Sequence, residues 1–107
     1  MTYALLEPQS IYQVEYLISA RKYISNTTGS LIIVNTPASI KYYGILVIDY
    51  IFRTLQQEFP QIIDIQINVE DDHAALFTAI KLGYTNIKYT GNSITAKTML
   101  HFHQKRF

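Results

Sequence analysis

The stretch from Asp64 to Thr90, DIQINVEDDHAALFTAIKLGYTNIKYT, constrains the fold of this chain more than any other. Apolar and polar residues alternate from Ile63 to Val69, which indicates a strand with one covered face and is compatible with an edge position. An alanine-rich helical pattern follows and stops at Gly83, where glycine adopts a left-handed turn without strain. Asn86 to Thr90 then form a second strand pattern. The alternation predicts a strand–helix–strand unit and therefore a parallel sheet.

The preceding residues continue the alternation of helix and strand. Ser10 and Gln13 have the spacing of a helix capping box, so we predict a first helix from Ser10 to about Ser25. Leu31 to Val34 form a short apolar run, which is typical of a strand that is buried on both faces. A long helix is predicted from Ala38 to Phe59, because its apolar residues fall on one helical face.

Two more helices complete the predicted architecture. The third helix begins at Asp71 or Asp72, and Ser93 can cap a last helix, which we favour over a strand in this region. We therefore predict a single α/β domain over residues 1–107. It has a small three-stranded, mainly parallel sheet from consecutive βαβ units, flanked by about four helices. Thr2 to Leu6 are a candidate fourth strand at the edge of the sheet.

Composition limits the classes of function. The formal net charge is +1 and the basic residues form no cluster, so we expect no nucleic-acid partner. The absence of cysteine excludes disulfides and thiol chemistry. The N-terminus lacks a signal-peptide pattern, and no apolar run approaches the roughly 20 residues that span a bilayer, so we expect a cytoplasmic protein without a membrane partner. Few charges and nine tyrosines favour binding to another protein.

Polar residues follow the predicted strands where the strands end. Ligands of open parallel α/β sheets bind outside the carboxyl ends of the strands, so we expect these residues to converge there. The candidate ligand-binding residues are Asn35, Thr36, Glu70, Asp71, Thr90 and Asn92. Asp72 and His73 are candidate catalytic residues, because a histidine beside acids can act as a general base.

The acidic run from Glu70 to Asp72 has two interpretations. Acids at a helix N-terminus accept hydrogen bonds from free backbone N–H groups, which makes them caps. Carboxylate oxygens are also the ligands that Mg²⁺ prefers. We favour capping and predict no bound metal. No nucleotide fingerprint of either common type is present, and we predict no cofactor.

The predicted long helix carries a second apolar stripe, Tyr43, Leu46 and Tyr50, which we call the ridge because steps of three and four place it on one helical side. The ridge either packs under the first helix or forms a self-association surface. A three-stranded sheet leaves much apolar surface to cover, and dimerisation is a common remedy. We therefore expect a non-enzymatic association module that forms a homodimer. The alternative is a small-molecule or divalent-metal-dependent enzyme with its site at the strand ends.

Overall fold

The computed structural model describes residues 10–105, which form four strands and five helices. The strands are β1 (Ser10–Val14), β2 (Leu31–Asn35), β3 (Ile62–Glu70) and β4 (Asn86–Tyr89). The helices are α1 (Leu17–Ser25), α2 (Ser39–Tyr43), α3 (Ile45–Glu58), α4 (His73–Lys81) and α5 (Ile94–Lys105). This arrangement confirms the predicted α/β class. No helix within residues 10–105 is long and apolar enough to cross a membrane.

The start of the first predicted helix is wrong, because Ser10–Val14 is the strand β1. This strand pairs in parallel with all five residues of β2. The ladder hydrogen bonds and the burial of Val14 are tertiary effects, and they outweigh the local capping-box spacing of Ser10 and Gln13. The helix begins only at Leu17. The candidate fourth strand, Thr2 to Leu6, lies outside the described residues.

The four parallel strands lie side by side in their chain order, β1-β2-β3-β4. Right-handed crossovers that always step in the same direction leave the sheet on the same face, so the helices form one layer. Accordingly α1 contacts α3, α3 contacts α4, and α4 contacts α5. The molecule measures 20 Å along its shortest principal axis, which fits one sheet and one layer of helices. Within the described range, no helix covers the other face of the sheet.

The apolar core lies between the sheet and the helices. The strands contribute buried side chains that face this layer: Val14, Leu31, Ile33, Ile62, Ile65, Ile67, Val69 and Ile87. The strand β3 lies between β2 and β4, so the edge position considered for it is wrong. A register shift opposite Leu31 and Ile32 pushes Ile63 out of the alternation, which leaves this side chain exposed.

The predicted long helix is broken at Gly44 into α2 and α3. Gly44 has a φ of 82°, a left-handed conformation that costs glycine little and that a continuous α-helix does not allow. Its backbone N–H donates to the Ile40 carbonyl over 2.9 Å and closes α2. After this break α3 buries Ile48 and Phe52, whereas Val47 is exposed.

The unit from β3 to β4 follows the prediction closely. Asp72 caps α4 by accepting a hydrogen bond from the Ala75 N–H over 2.9 Å. Gly83 has a φ of 93°, and its N–H donates to the Ile80 carbonyl over 3.1 Å, which confirms the left-handed helix end. The last segment is the helix α5, and Ser93 caps it by accepting from the Ala96 N–H over 3.2 Å.

Tyr84 ties α3 to the turn between α4 and β4. Its buried hydroxyl donates to Asp49 Oδ1 over 2.5 Å. Arg53 lies 4.9 Å from the centre of the Tyr84 ring and donates to the Leu82 carbonyl over 2.7 Å. Burial, followed by the hydrogen bond to Asp49, raises the pKa of the Tyr84 hydroxyl. The cluster therefore holds a neutral tyrosine in place and fixes how α3 lies on the sheet.

The helix face that packs on the sheet can be tested by two identical substitutions. Ile48 is 2% exposed in α3, and Ile94 is 82% exposed in α5. We expect Ile48→Ala to lower the free energy of unfolding by about 2–5 kcal/mol, because it leaves a cavity in the core. Ile94→Ala should change it by about 0.5 kcal/mol or less. Urea denaturation measures both values, and similar losses would mean that the structure buries the wrong face of α3.

Candidate functional site

The carboxyl end of β3 borders a cleft of about 690 Å³. Its walls come from the start of α2, the end of β3 and the turn into α4. The lining residues are Ala38, Ile40, Lys41, Val69, Glu70, Asp71, Asp72 and His73. The structure thus places four of the predicted site residues, Glu70 to His73, beside one cleft.

Asn35 is a buried clamp between β2 and β3. Its side-chain N–H₂ donates to Ser39 Oγ and to the Asn68 carbonyl, both over 2.9 Å. Its carbonyl oxygen accepts from the Asn68 N–H over 2.7 Å. Both donor hydrogens and one acceptor position are therefore used within the chain. Asn35 is absent from the lining of the cleft, and its visible task is to lock the two strand ends together.

Glu70 joins three elements at the end of β3. Its carboxylate oxygen Oε2 accepts from the Ala38 N–H over 2.5 Å, and its carbonyl accepts from the Thr90 N–H over 2.7 Å. Both Glu70 and Ala38 have positive φ, at 54° and 68°, which is unusual for residues with a side chain. The hydrogen bond between them holds two strained backbone positions against each other.

The remaining residues of the acidic run differ in how they are used. Asp72 caps α4, so one of its oxygens already has a backbone partner. Asp71 is exposed, and the exposed His73 makes an edge contact with Phe77 at 6.0 Å between ring centres. Within residues 10–105 no group of three or more histidine and acidic side chains is arranged to hold a metal ion. Asp71, His73 and the nearby Lys41 are the exposed charged or titratable side chains that line the cleft beside the engaged acids.

The other predicted ligand-binding residues lie near these strand ends but not in the cleft. Thr36 donates its N–H to the Val14 carbonyl over 3.2 Å, which connects the end of β2 to β1. Thr90 meets Glu70 through the backbone. Asn92 is exposed in the turn before α5. None of Thr36, Thr90 and Asn92 is among the lining residues of the cleft.

The ridge is exposed on the helix layer. Tyr43 is 40% exposed, Leu46 is 67% exposed and Tyr50 is 65% exposed. The break at Gly44 places Tyr43 in α2 and the other two residues in α3. The ridge is therefore not packed under α1 as one of the two interpretations required.

Tyr16 extends the ridge towards β1. Its ring lies edge-on to the ring of Tyr43 at 6.5 Å between centres, and it is 56% exposed. A hydrogen bond with Tyr43, helped by the charge of Glu15, raises the pKa of the Tyr16 hydroxyl to about 12. Sequence patterns did not predict this contact, because the predicted first helix placed Tyr16 in its middle rather than at the start of α1.

Charged pairs border the ridge. The Arg21 guanidinium of α1 hydrogen-bonds both carboxylate oxygens of Glu58 in α3, with Nε 2.8 Å from Oε1 and Nη2 2.5 Å from Oε2. This contact lowers the pKa of Glu58 and raises the pKa of Arg21. The pair joins α1 to α3, the helix that carries Leu46 and Tyr50.

Substitution of Asp72 separates capping from chemistry. We expect Asp72→Asn to keep most of the stability, since asparagine also caps helices well. Asp72→Ala should lower the free energy of unfolding by about 1 kcal/mol, because the Ala75 N–H loses its acceptor. Urea denaturation of both variants checks this. Equal losses from asparagine and alanine would show that the charge of Asp72, not its capping oxygen, matters.

Comparison with curated proteins shows that the chain has a relative in another organism. No known family model matches the chain, and no solved structure matches it. A protein of Rickettsia prowazekii (strain Madrid E), "Uncharacterized protein RP547", is 52% identical over 91 residues, which cover 84% of this chain and 86% of the relative. An identity of this size over most of both chains shows common descent. This chain therefore belongs to the same protein family as RP547 of Rickettsia prowazekii.

Proposed function

We propose that this chain is a non-enzymatic association module that forms a homodimer through the ridge of Tyr43, Leu46 and Tyr50. The observation that carries the proposal is the exposure of these three large side chains on adjoining helices. An exposed apolar surface with a polar border is typical of a protein-binding site. Tyr16 enlarges the surface, and the Arg21–Glu58 pair borders it.

A second copy of the chain is the partner that suits this surface. Two pairs of opposite charge, Arg21 with Glu58 and Arg53 with Asp49, border the ridge, and these pairs favour neither an acidic nor a basic partner. Two equal ridges can meet about a two-fold axis, where each ridge residue is used twice. Full burial of a side chain such as Leu46 contributes about 1.5–3 kcal/mol.

The polar side chains at the strand ends support the same proposal, because several of them are already hydrogen-bonded within the chain. Asn35, Glu70 and Asp72 direct side-chain atoms to backbone groups of their own chain. An enzyme needs a nucleophile, base or acid within hydrogen-bond reach of a substrate. Three of the eight predicted site residues, Asn35, Glu70 and Asp72, instead use their side chains to hold strands and helices together.

Leu46→Asp tests the homodimer. We expect sedimentation equilibrium of the parent chain to give twice the monomer mass of 12.4 kDa at high micromolar concentration. In the dimer, the substitution would bury two aspartate charges without partners. Each unpaired buried polar group costs roughly 1–3 kcal/mol or more, so the dimer would lose several kcal/mol of stability. At high salt the variant should therefore sediment as a folded monomer.

A matched control is Ile94→Asp, which makes a comparable change on the exposed part of α5, away from the ridge. It should leave the dimer intact. Circular dichroism establishes that each variant is folded. In the same high-salt buffer, which screens contacts between charges, a parent chain that stays monomeric at high micromolar concentration contradicts the homodimer, and so does a dimer that persists in Leu46→Asp.

A second candidate function is an enzyme or a ligand-binding protein that uses the strand ends. It is favoured by the cleft of about 690 Å³, where Lys41, Asp71 and His73 are exposed together. Cationic and anionic groups on one cleft can orient a small polar molecule.

This second candidate is tested by a thermal-shift screen with Mg²⁺, Mn²⁺ and small polar metabolites. If the strand ends bind one of them, the melting temperature of the parent rises, and the rise is lost in Asp71→Asn and His73→Ala. Lys97→Ala, on the exposed side of α5, is the control and should keep the rise. No shift with any compound argues against the cleft as a site.

A further inference from the structure

The sheet has one face that none of the described helices covers, and we call its residues the open face. They are Ile11, Gln13, Ile32, Val34, Asp64, Gln66, Asn68, Asn86 and Lys88. Parallel sheets are as a rule covered on both faces, since their crossover helices pack on both sides. Here every crossover steps in the same direction, so one face lacks this cover. Most open-face side chains are polar, in contrast to the opposite face.

The polar side chains in the middle of the open face hold each other in fixed positions. Asn86 donates to Asp64 Oδ2 over 2.8 Å, and Gln66 donates to the side-chain oxygen of Asn86 over 3.2 Å. Asp64 Oδ1 also accepts from the Ile65 N–H over 2.9 Å. The carboxylate of Asp64 is therefore fixed by hydrogen bonds while it stays partly exposed. It carries a negative charge at a defined point of the sheet.

The positive charge of the open face lies towards the opposite end of the strands. Lys88 pairs with Asn68 in the sheet register, and Gln66 pairs with Asn86. In β3, Asp64 lies two residues before Gln66. In the neighbouring β4, Lys88 lies two residues after Asn86, the partner of Gln66. Lys88 is exposed and makes no ion pair within residues 10–105.

We propose that a second copy of this chain docks on the open face, with Lys88 of each copy paired to Asp64 of the other. A two-fold axis that crosses the strands at the level of Gln66 reverses the strand direction. It brings Lys88 of one copy to the level of Asp64 of the other, one strand spacing of about 4.8 Å to the side. Packed sheets lie about 10 Å apart, which a lysine and an aspartate side chain span together.

Charge complementarity favours this occupant over others. The open face carries one positive and one negative charge, so it is neutral and complementary to its own copy. A nucleic acid requires clustered basic groups and, for single strands, aromatic rings for stacking, and the open face has neither. The face measures about 15 by 20 Å by strand spacing and rise, so the contact is small and forms only at high protein concentration.

The contact is independent of the ridge, since it uses the sheet and the ridge uses the helix layer. The experiment is sedimentation equilibrium at low salt in the Leu46→Asp background, which removes the ridge contact. We expect a weak dimer there. Lys88→Glu should weaken it about tenfold or more, because both charge pairs become repulsive. Asp64→Lys should weaken it for the same reason.

Mixing the two charge variants gives the decisive result. In an equimolar mixture of Lys88→Glu and Asp64→Lys chains, both cross-pairs are again of opposite sign, so a mixed dimer should form although neither variant dimerises alone. Lys97→Glu, the same charge change on the exposed part of α5, is the control and should dimerise like its parent. If Leu46→Asp does not fold, the same three variants are made in the parent chain. Lys88→Glu and Asp64→Lys should then each lose the species larger than a dimer, and Lys97→Glu should keep them.

Two results overturn the proposal. One is equal association of Lys88→Glu and its parent at low salt. The other is a mixture that associates no better than its folded components. Circular dichroism shows whether Asp64→Lys is folded, because it removes the hydrogen bonds to Asn86 and Ile65. Should it be unfolded, Asp64→Asn takes its place with loss of association as the expected result, and unchanged association then contradicts the pairing.

Discussion

The structure depends on one constraint, the chain-order arrangement of four parallel strands. Because each right-handed crossover steps to the next strand in the same direction, the helices accumulate on one face. The apolar side chains of the strands follow this asymmetry, with Ile65 and Ile67 buried under the helices and Gln66 between them on the other side. A chain built in this way has two outer surfaces of different character, one helical and partly apolar, the other a polar sheet.

Hydrogen bonds at the carboxyl ends of the strands stabilise this arrangement and also limit its chemistry. Asn35 uses its buried amide to join β2, β3 and the start of α2. Glu70 uses its carboxylate and its carbonyl to join β3 to Ala38 and to β4. In open α/β sheets, polar groups at the carboxyl ends of the strands usually bind a ligand, whereas here many of them form hydrogen bonds with the backbone. We therefore propose a function for the outer surfaces rather than for the strand ends.

Sequence patterns predicted the parts in which local and tertiary preferences agree. Asp72 as a cap and Gly83 as a left-handed helix end were predictable, because each has a local backbone reason. The strand β1 was not predictable. The capping-box spacing of Ser10 and Gln13 is a local pattern that favours a helix, whereas the pairing of β1 with β2 joins residues far apart in the chain. The hydrogen bonds of Asn35 and Glu70 likewise join residues more than 30 positions apart, which no periodicity reveals. Sequence patterns therefore indicated candidate site residues near the strand ends but did not show that Asn35 and Glu70 hold the strands together.

The central claim, that this chain acts by association through its helix layer, is tested most directly by amide hydrogen exchange at low and high protein concentration. We expect exchange in the first turns of α3, around Leu46 and Tyr50, to slow as the concentration rises, because the contact covers these turns. Exchange in the turn from Glu70 to His73 should stay the same at both concentrations. Exchange in α3 that does not depend on concentration would contradict the account.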